Sequence, residues 1–513
     1  MKDFPFLSIL TLLPLVGAAV VAFIPRARGN LAKTIALAWS LVVLALSVVM
    51  WIAFQAGGER FQFRESYQWI PTWGARFTFA TDGIALVMLV LIALLVPLVI
   101  LASWNDVDET QRSVPTYFAL LLTLECTMIG VFAAADVFLF YVLFEVMLVP
   151  MYFIIGSYGG QRRQYAAVKF FLYSLVGGLF MLAAVIGLWV VGGHHTFDWE
   201  TLKGASAAFD TNTARWLFLG FFIAFAVKAP FFPFHTWLPD AGVAAPAPAA
   251  ALLVGVLDKV GTFGILRYCL PLFPEASRWF APAALVLGVI GILYAALLAV
   301  GQNDLKRLVS YTSIAHFGFI GIGIFAFTTQ AGTGSVLYMV NHGLATGLLF
   351  LVVGMFVSRR GSSLVSDFGG AGKLIPVLAG VLFFAGLASL ALPGTAPFIS
   401  EFLVLIGTFT THKVYAVIAT FGIILAAAYV LWMVQRTTQG TLNPVLTEVP
   451  AMRKDITLRE KIVVAPLVLL LLLLGFYPKP VTDVINPAVE QTMQDVGTTD
   501  PGPTAVANGR VAR

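Results

Sequence analysis

Of the 513 residues, 59% are hydrophobic and only 11% charged, against about 25% charged in an ordinary soluble chain, and the mean hydropathy is +0.90. This excludes a surface made for water and makes the useful unit the apolar span of about 20 residues that crosses a hydrocarbon core. The net charge of +5 does not point to nucleic acid, because the basic residues lie mostly in short loops between apolar runs, a pattern of membrane topology.

In chain order, apolar runs fall near residues 4–24, 31–55, 82–103, 114–134, 136–157, 166–191, 216–240, 244–268, 279–300, 305–327, 334–357, 374–410, 413–436 and 461–477. They predict an all-α integral membrane protein of about fourteen transmembrane helices, with no convincing strand. The first run reads as a retained helix and not as a secretory signal. Only Lys2 precedes it, offset by Asp3, whereas Arg26, Arg28 and Lys33 follow, and secretory signals carry their positive charge in front. With no transit-peptide pattern ahead of it, a bacterial membrane is expected.

The seventh run holds Lys228-Ala229-Pro230-Phe231-Phe232-Pro233-Phe234-His235, and the long run at 374–410 holds Leu392-Pro393-Gly394-Thr395-Ala396-Pro397. Proline removes a backbone donor and clashes with the preceding turn, so helices 7 and 12 are expected to be broken inside the membrane. The backbone groups so released are tolerated only where they are buried in protein or line a wet cavity. Broken helices in both halves of a chain point to a transport site. The tail after Pro480 is polar and rich in Pro, Gly and Thr, and is expected to be poorly ordered.

The odd-numbered loops carry Arg26, Arg28, Lys33, Arg112, Arg162, Arg163, Lys169, Lys306, Arg307, Arg359, Arg360, Lys373, Arg436, Arg453, Lys454, Arg459 and Lys461. The even loops and both termini carry fewer: Lys2, Arg60, Arg64, Arg76, Lys203, Arg215, Arg267, Arg278, Lys413, Lys479, Arg510 and Arg513. The excess places the odd loops in the cytoplasm and both termini outside.

Charge at the bilayer centre costs at least about 2.5–3.5 kcal/mol, yet several polar groups lie within the apolar runs. Glu145 is mid-helix, Glu125 lies one helix earlier, and Asp136 opens the helix of Glu145. Lys228 stands at the first break, and Asp258 and Lys259 are adjacent in the eighth run, with Thr262 one turn on. His316 follows Ser313 by a turn, His342 precedes Thr346 by a turn, and Glu401 lies four residues past Pro397. Singly, each has a structural reading as an ion pair or an interhelical hydrogen bond. That reading is the stronger one for Asp136 and Glu125, near helix ends, and an ion pair or a water-facing position suits Asp258 as well as any transfer role. His194 and His195, in a loop, read as surface histidines. Together, acid, base and imidazole on successive helices suit a proton relay.

Cofactor chemistry finds no place in the chain. Cys126 and Cys269 are isolated, without disulfide, iron–sulfur or zinc spacing. Gly369-Gly370-Ala371-Gly372-Lys373-Leu374 lacks the glycine spacing and the final Ser/Thr of a phosphate loop, and no dinucleotide fingerprint follows a strand.

The segment Val227-Lys228-Ala229-Pro230-Phe231-Phe232-Pro233-Phe234-His235-Thr236-Trp237-Leu238-Pro239-Asp240-Ala241 resembles the signature of the antiporter-like subunits of respiratory complex I (NADH–quinone oxidoreductase) and of multisubunit Na+/H+ antiporters. The resemblance runs from about Tyr117 to Arg436. It implies two inverted five-helix repeats, at 114–268 and 279–436, after an N-terminal three-helix segment (1–113) and before a loop, a last helix and a polar tail (437–513). It further implies that Glu145 and Lys228 form the coupling pair of the first half-channel, and that Lys259 is the central lysine. His316 and His342 would continue the axis to Glu401 as terminal site, with Glu125, Asp258 and His235 as accessory candidates. Related subunits usually place lysine where Glu401 stands. Glutamate there, together with Arg162-Arg163-Gln164-Tyr165-Ala166-Ala167-Val168-Lys169-Phe170-Phe171-Leu172-Tyr173, is similar to one branch of the complex I chains. Two departures bear on proton uptake near the seventh-to-eighth loop. Gly242 and Ala244 stand where a histidine and then an acid or amide are common, and Asp258 stands where an apolar residue is usual.

The implied activity is proton translocation coupled to redox chemistry elsewhere. FMN, iron–sulfur clusters and quinone would sit in partner subunits, and the direct partners would be neighbouring antiporter-like membrane chains and lipids. The alternatives are a subunit of a multisubunit Na+/H+ antiporter, which Glu401 disfavours, and a structural membrane scaffold.

Overall fold

The computed structural model of the chain describes residues 4–107, 110, 112–193 and 195–500. Lys2, Arg510 and Arg513, counted in the loop charges, and His194 lie outside the described residues. Each of the apolar runs is helical. In order, the helices are α1 (Phe6–Ala22), α2 (Gly29–Ala53), α3 (Gly83–Ala102), α4 (Val114–Ala133), α5 (Val137–Val146), α6 (Leu148–Tyr158), α7 (Arg163–Val191), the short α8 (Trp199–Ser206), α9 (Thr211–Lys228) and α10 (Trp237–Ala244). Then come α11 (Ala247–Leu252), α12 (Lys259–Gly264), α13 (Leu270–Leu272), α14 (Pro274–Val300), α15 (Leu305–Phe325) and α16 (Thr329–Arg360). The last are α17 (Pro376–Ser389), α18 (Ala396–Thr411), α19 (Lys413–Thr438), the short α20 (Pro444–Glu448), α21 (Leu458–Phe476) and α22 (Lys479–Val496). Among the described residues, ten spans are long and apolar enough to cross a membrane unaided, and the bent pair α21–α22 makes up to eleven. The chain is a multi-pass, all-α membrane protein.

The seventh span is broken between α9 and α10, across Pro230 and Pro233, and the twelfth between α17 and α18, across Pro393. Both breaks match the expectation. Two other interruptions were not foreseen. The fifth span parts at Met147, just past Glu145, because Pro150 offers no amide to the Val146 carbonyl. The eighth span winds into π-turns at Leu253–Leu257 and Ile265–Cys269, on either side of α12. This span and α16 form the centre of the protein, with their apolar windows entirely buried.

Helix starts follow from capping chemistry. Asp82, Asp136, Asp304 and Thr328 accept from backbone amides in the first turns of α3, α5, α15 and α16, which satisfies donors the helix leaves free. Odd-numbered loops bond to odd-numbered loops, and even to even. Arg112 donates to the Tyr158 carbonyl, Gly160 to Ala244 and Leu305 to Ser363 on one face. On the other, Arg64 pairs with Asp198, and Thr411 donates to the Ala326 carbonyl.

Three expectations are corrected. The absence of strands fails: β1 (Gln62–Ile70) and β2 (Ala75–Thr81) form an antiparallel hairpin, with Gln62 opposite Thr81 and Tyr67 opposite Phe77. The hairpin turns at Gly74, whose φ of +68° suits glycine. Its Glu65 accepts from the Leu7 and Ser8 amides at 2.8 and 3.1 Å, closing the start of α1. Residues Val481–Val496 are ordered within α22, which buries Val481, Ile485, Ala488, Val489, Thr492, Met493 and Val496, a stripe of helical period hidden by polar composition; the tail beyond Asp500 lies outside the described residues. Arg60 and Lys203 both pair with its Asp495. Finally, Arg267 is not a loop charge. It lies buried in the eighth span, ion-paired to Asp82 at 2.7 Å.

Candidate functional site

At the centre stands Lys259, the first residue of α12. In the π-turn ahead of it, the Asp258 amide bonds back five residues to Leu253, and the Val254 carbonyl accepts from the Lys259 ammonium. The same Nζ lies 2.7 Å from His342 Nδ1 on α16 and 5.4 Å from the centre of the Phe317 ring. Thr262, expected to share this site, donates instead to the Lys259 carbonyl at 3.0 Å.

From His342 the row continues. The His316 ring on α15 is perpendicular to it, with centroids 5.2 Å apart, and the Tyr338 ring lies 5.7 Å from His316. Tyr338 Oη donates to Glu401 Oε2 at 2.7 Å. Tyr338 and His342 are four residues apart on α16 and so share a face. The start of α18, which carries Glu401, is tied to α16 by Asn341, whose amide donates to the Ala396 carbonyl at 2.7 Å and to Ser400 at 3.2 Å. Along this stretch His342 Nε2, His316 Nδ1, Ser313 Oγ and Thr346 Oγ1 are buried and meet no protein hydrogen-bond partner. Buried polar groups are otherwise almost always bonded, so these atoms mark where water and moving protons would be accommodated.

At the other end, Lys228 closes α9 at the break and is buried, its ammonium facing the rings of Phe144 and Phe170 at 5.2 and 5.5 Å. Glu145 is half-buried near the end of α5, its carboxylate set against α7 in the space that a side chain at Gly178 would need. Glu145 and Lys228 are not in ion-pair contact: among the described residues Lys228 Nζ meets no hydrogen-bond partner. Asp258 is buried next to Lys259 in the chain.

Two accessory candidates stand apart from this row. Glu125 is buried in α4 with neither oxygen bonded by protein. His235, in the seventh-span break, stacks on Phe232 and meets the Tyr294 ring edge-on. His195 is exposed, and Asp136 serves as the cap of α5. Two residues that sequence reasoning passed over belong here. Tyr338, one turn before His342, read as an ordinary core aromatic. Asp240 is clamped by Lys169 at 2.7 Å and Arg307 at 2.9 Å, joining α7, α10 and α15 above the break.

Glu145, Lys228, Asp258, Lys259, His342, His316, Tyr338 and Glu401 thus form one row of titratable groups through the buried middle of the protein. Acids and lysines alternate over its first four members, which offsets part of what burial costs each, and imidazole, phenol and carboxylate follow.

Known proteins carry the same architecture. The family model described as NADH:quinone oxidoreductase/Mrp antiporter, TM, matches residues 134–426. A Mycobacterium tuberculosis protein named NADH-quinone oxidoreductase subunit M is 47% identical, over 98% of this chain and 97% of its own length. A chain in the structure of respiratory complex I from Thermus thermophilus with bound NADH superposes with a TM-score of 0.86 at 30% identity, covering 96% of this chain and 100% of that one. A chain of the Mrp complex from Dietzia sp. superposes with a TM-score of 0.81 at 22% identity, covering 96% of this chain and 52% of that one, and so shares the fold. By identity along nearly its whole length and a family match over more than half of it, this chain belongs to the NADH:quinone oxidoreductase/Mrp antiporter family of transmembrane proteins.

Proposed function

We propose that the chain is a proton-translocating membrane subunit of an NADH–quinone oxidoreductase, filling the place of subunit M. Its role is that of a non-redox translocase. Protons move along Glu145, Lys228, Lys259, His342, His316 and Glu401, and the inverted repeats at 114–268 and 279–436 each contribute a half-channel. The recurrence of the helix break in the seventh and twelfth spans, five apart, supports that division. The observation that carries the relay is the pair of contacts at its core, Lys259 to His342 and Tyr338 to Glu401, each 2.7 Å. FMN, iron–sulfur clusters and quinone belong to partner subunits, and the nearest partners are other antiporter-like membrane chains. The bacterial relatives favour a bacterial plasma membrane, and the excess of basic residues in the odd loops favours those loops in the cytoplasm and the termini outside.

The test is purification of the tagged chain with its assembly from native membranes. Flavin and iron–sulfur spectra, with NADH-driven proton transport abolished by Lys259→Ala, are the expected result. An assembly without flavin that moves protons only against a cation gradient would make the chain an antiporter subunit instead.

A further inference from the structure

The row has one weak point, the step from Lys228 to Lys259, and Asp258 occupies it. Asp258 is fully buried, and no protein group donates to either of its carboxylate oxygens. It stands where the π-turn over Leu253–Leu257 gives way to α12, and such local unwinding recurs at functional positions in helices.

The packing explains how one side chain reaches toward both lysines. Lys259 is its immediate neighbour in the chain. Toward Lys228, the eighth span lies directly on the end of α9: a Cβ at Gly261 would come within 2.5 Å of the Phe225 carbonyl and 2.6 Å of the Ala229 amide. Gly261 follows Asp258 by three residues and so lies on the same helix face one turn on, while Ala229 follows Lys228. The bare backbone at Gly261 therefore lets the eighth span lie directly on the end of α9 that carries Lys228, with Asp258 one turn away on the same face.

We propose that Asp258 is the proton carrier between the two lysines, joining the Glu145–Lys228 half of the path to the Lys259–His342 half. The Lys228 ammonium gives its proton to the Asp258 carboxylate, leaving a neutral amine and a carboxylic acid. The acid then passes the proton to the neutral Lys259 amine, which becomes ammonium as the carboxylate is restored. No oxidant, reductant or metal takes part. A fixed counter-ion would stay ionised throughout; a carrier alternates between acid and carboxylate in every cycle.

The proposal rests on the relay reading above, and the experiment separates the two. The assembled oxidoreductase carrying Asp258→Asn, Asp258→Glu or Lys259→Ala is reconstituted in vesicles and NADH-driven proton transport is measured. Infrared difference spectra are recorded with and without NADH. The expected result is loss of most transport in Asp258→Asn, substantial recovery in Asp258→Glu, and a turnover-dependent carboxylic C=O band that disappears in Asp258→Asn and shifts in Asp258→Glu. Normal transport in Asp258→Asn beside a dead Lys259→Ala overturns the proposal and leaves the relay standing. Transport lost in Asp258→Asn with no carboxylic band traceable to Asp258 makes it a fixed counter-ion and overturns the proposal too. Normal transport in Lys259→Ala removes the relay reading itself. Should Asp258→Asn fail to assemble, the presence or absence of a band that shifts in Asp258→Glu decides the matter.

Discussion

Lys259 Nζ and His342 Nδ1 lie 2.7 Å apart across the contact between the eighth span and α16. An ammonium has no lone pair, so when Lys259 is charged His342 must accept at Nδ1 and hold its own proton on Nε2. When Lys259 is neutral the roles can reverse. The pair is thus built to exchange a proton and, by the same contact, to act as one unit. Lys259→Ala and His342→Ala are each expected to lower NADH-driven proton transport by about tenfold or more, the range of a lost proton-transfer group. The double variant should be no worse than the poorer single one, because members of a unit are not additive. Independent, multiplying losses in vesicle transport assays would show that the two do not work together.

Glu145 and Lys228 are expected to be needed although they make no direct ion pair. Glu145→Gln and Lys228→Ala should each lose most transport while the complex still assembles, as followed by native gels and proton-to-electron ratios. Gly178→Ala gives a sharper test of the geometry. Alanine in mid-helix is ordinarily favourable by about 1 kcal/mol relative to glycine, but here its Cβ would displace the Glu145 carboxylate. The variant should assemble and yet pump like Glu145→Gln. Wild-type pumping in Gly178→Ala would mean that the placement of Glu145 against α7 is of no consequence.

Not every buried charge belongs to the path. Arg359, at the end of α16, meets both oxygens of Glu460 on α21 at 2.7 Å, far along the helix from His342. Removing one partner of a buried pair strands the other and costs about 3–5 kcal/mol. Glu460→Ala is therefore expected to lower the yield of assembled complex and its thermal midpoint, while the complex that does assemble pumps the normal number of protons per electron. A changed ratio would bring this pair into the mechanism.

The parts of the molecule that were legible in the sequence are those where a residue violates its surroundings. Pro230, Pro233 and Pro393 come in close succession with Gly, Pro or aromatic neighbours and remove backbone donors from the helix, and both breaks fall there. Lys228, Lys259, His316, His342 and Glu401 are polar within apolar runs, and all five line the buried row. What escaped was whatever agrees with its surroundings. Tyr338 looks like core, although its hydroxyl is what reaches Glu401. The alternation in Arg76–Thr81 is too brief to stand out beside an apolar helix, and the buried stripe of α22 is masked by its polar residues. Distance also escaped: Glu145 and Lys228 could be assigned to neighbouring helices, but their separation depends on how α7 packs between them. Arg267 could not be told from a loop charge, because its partner Asp82 is distant in the chain.

The end of the row offers the most discriminating substitutions. Glu401 is buried on α18, and its Oε2 accepts from Tyr338, whose ring lies beside His316. A proton leaving His316 therefore has a phenol and then a carboxylate ahead of it, and the two are already joined. Glu401→Ala removes the last titratable group and should lose most transport. Glu401→Lys restores a group that binds a proton but biases the charge of the site in the opposite sense, so partial transport is expected. Tyr338→Phe keeps the ring against His316 and deletes only the hydroxyl. It should slow transport several-fold and alter the dependence of rate on pH, because the carboxylate loses a hydrogen bond that favours its charged form. A merely structural tyrosine would tolerate phenylalanine with no change in that profile. Near-normal pumping in both Glu401 variants would place the end of the path elsewhere, and an unchanged pH profile in Tyr338→Phe would leave the phenol outside it.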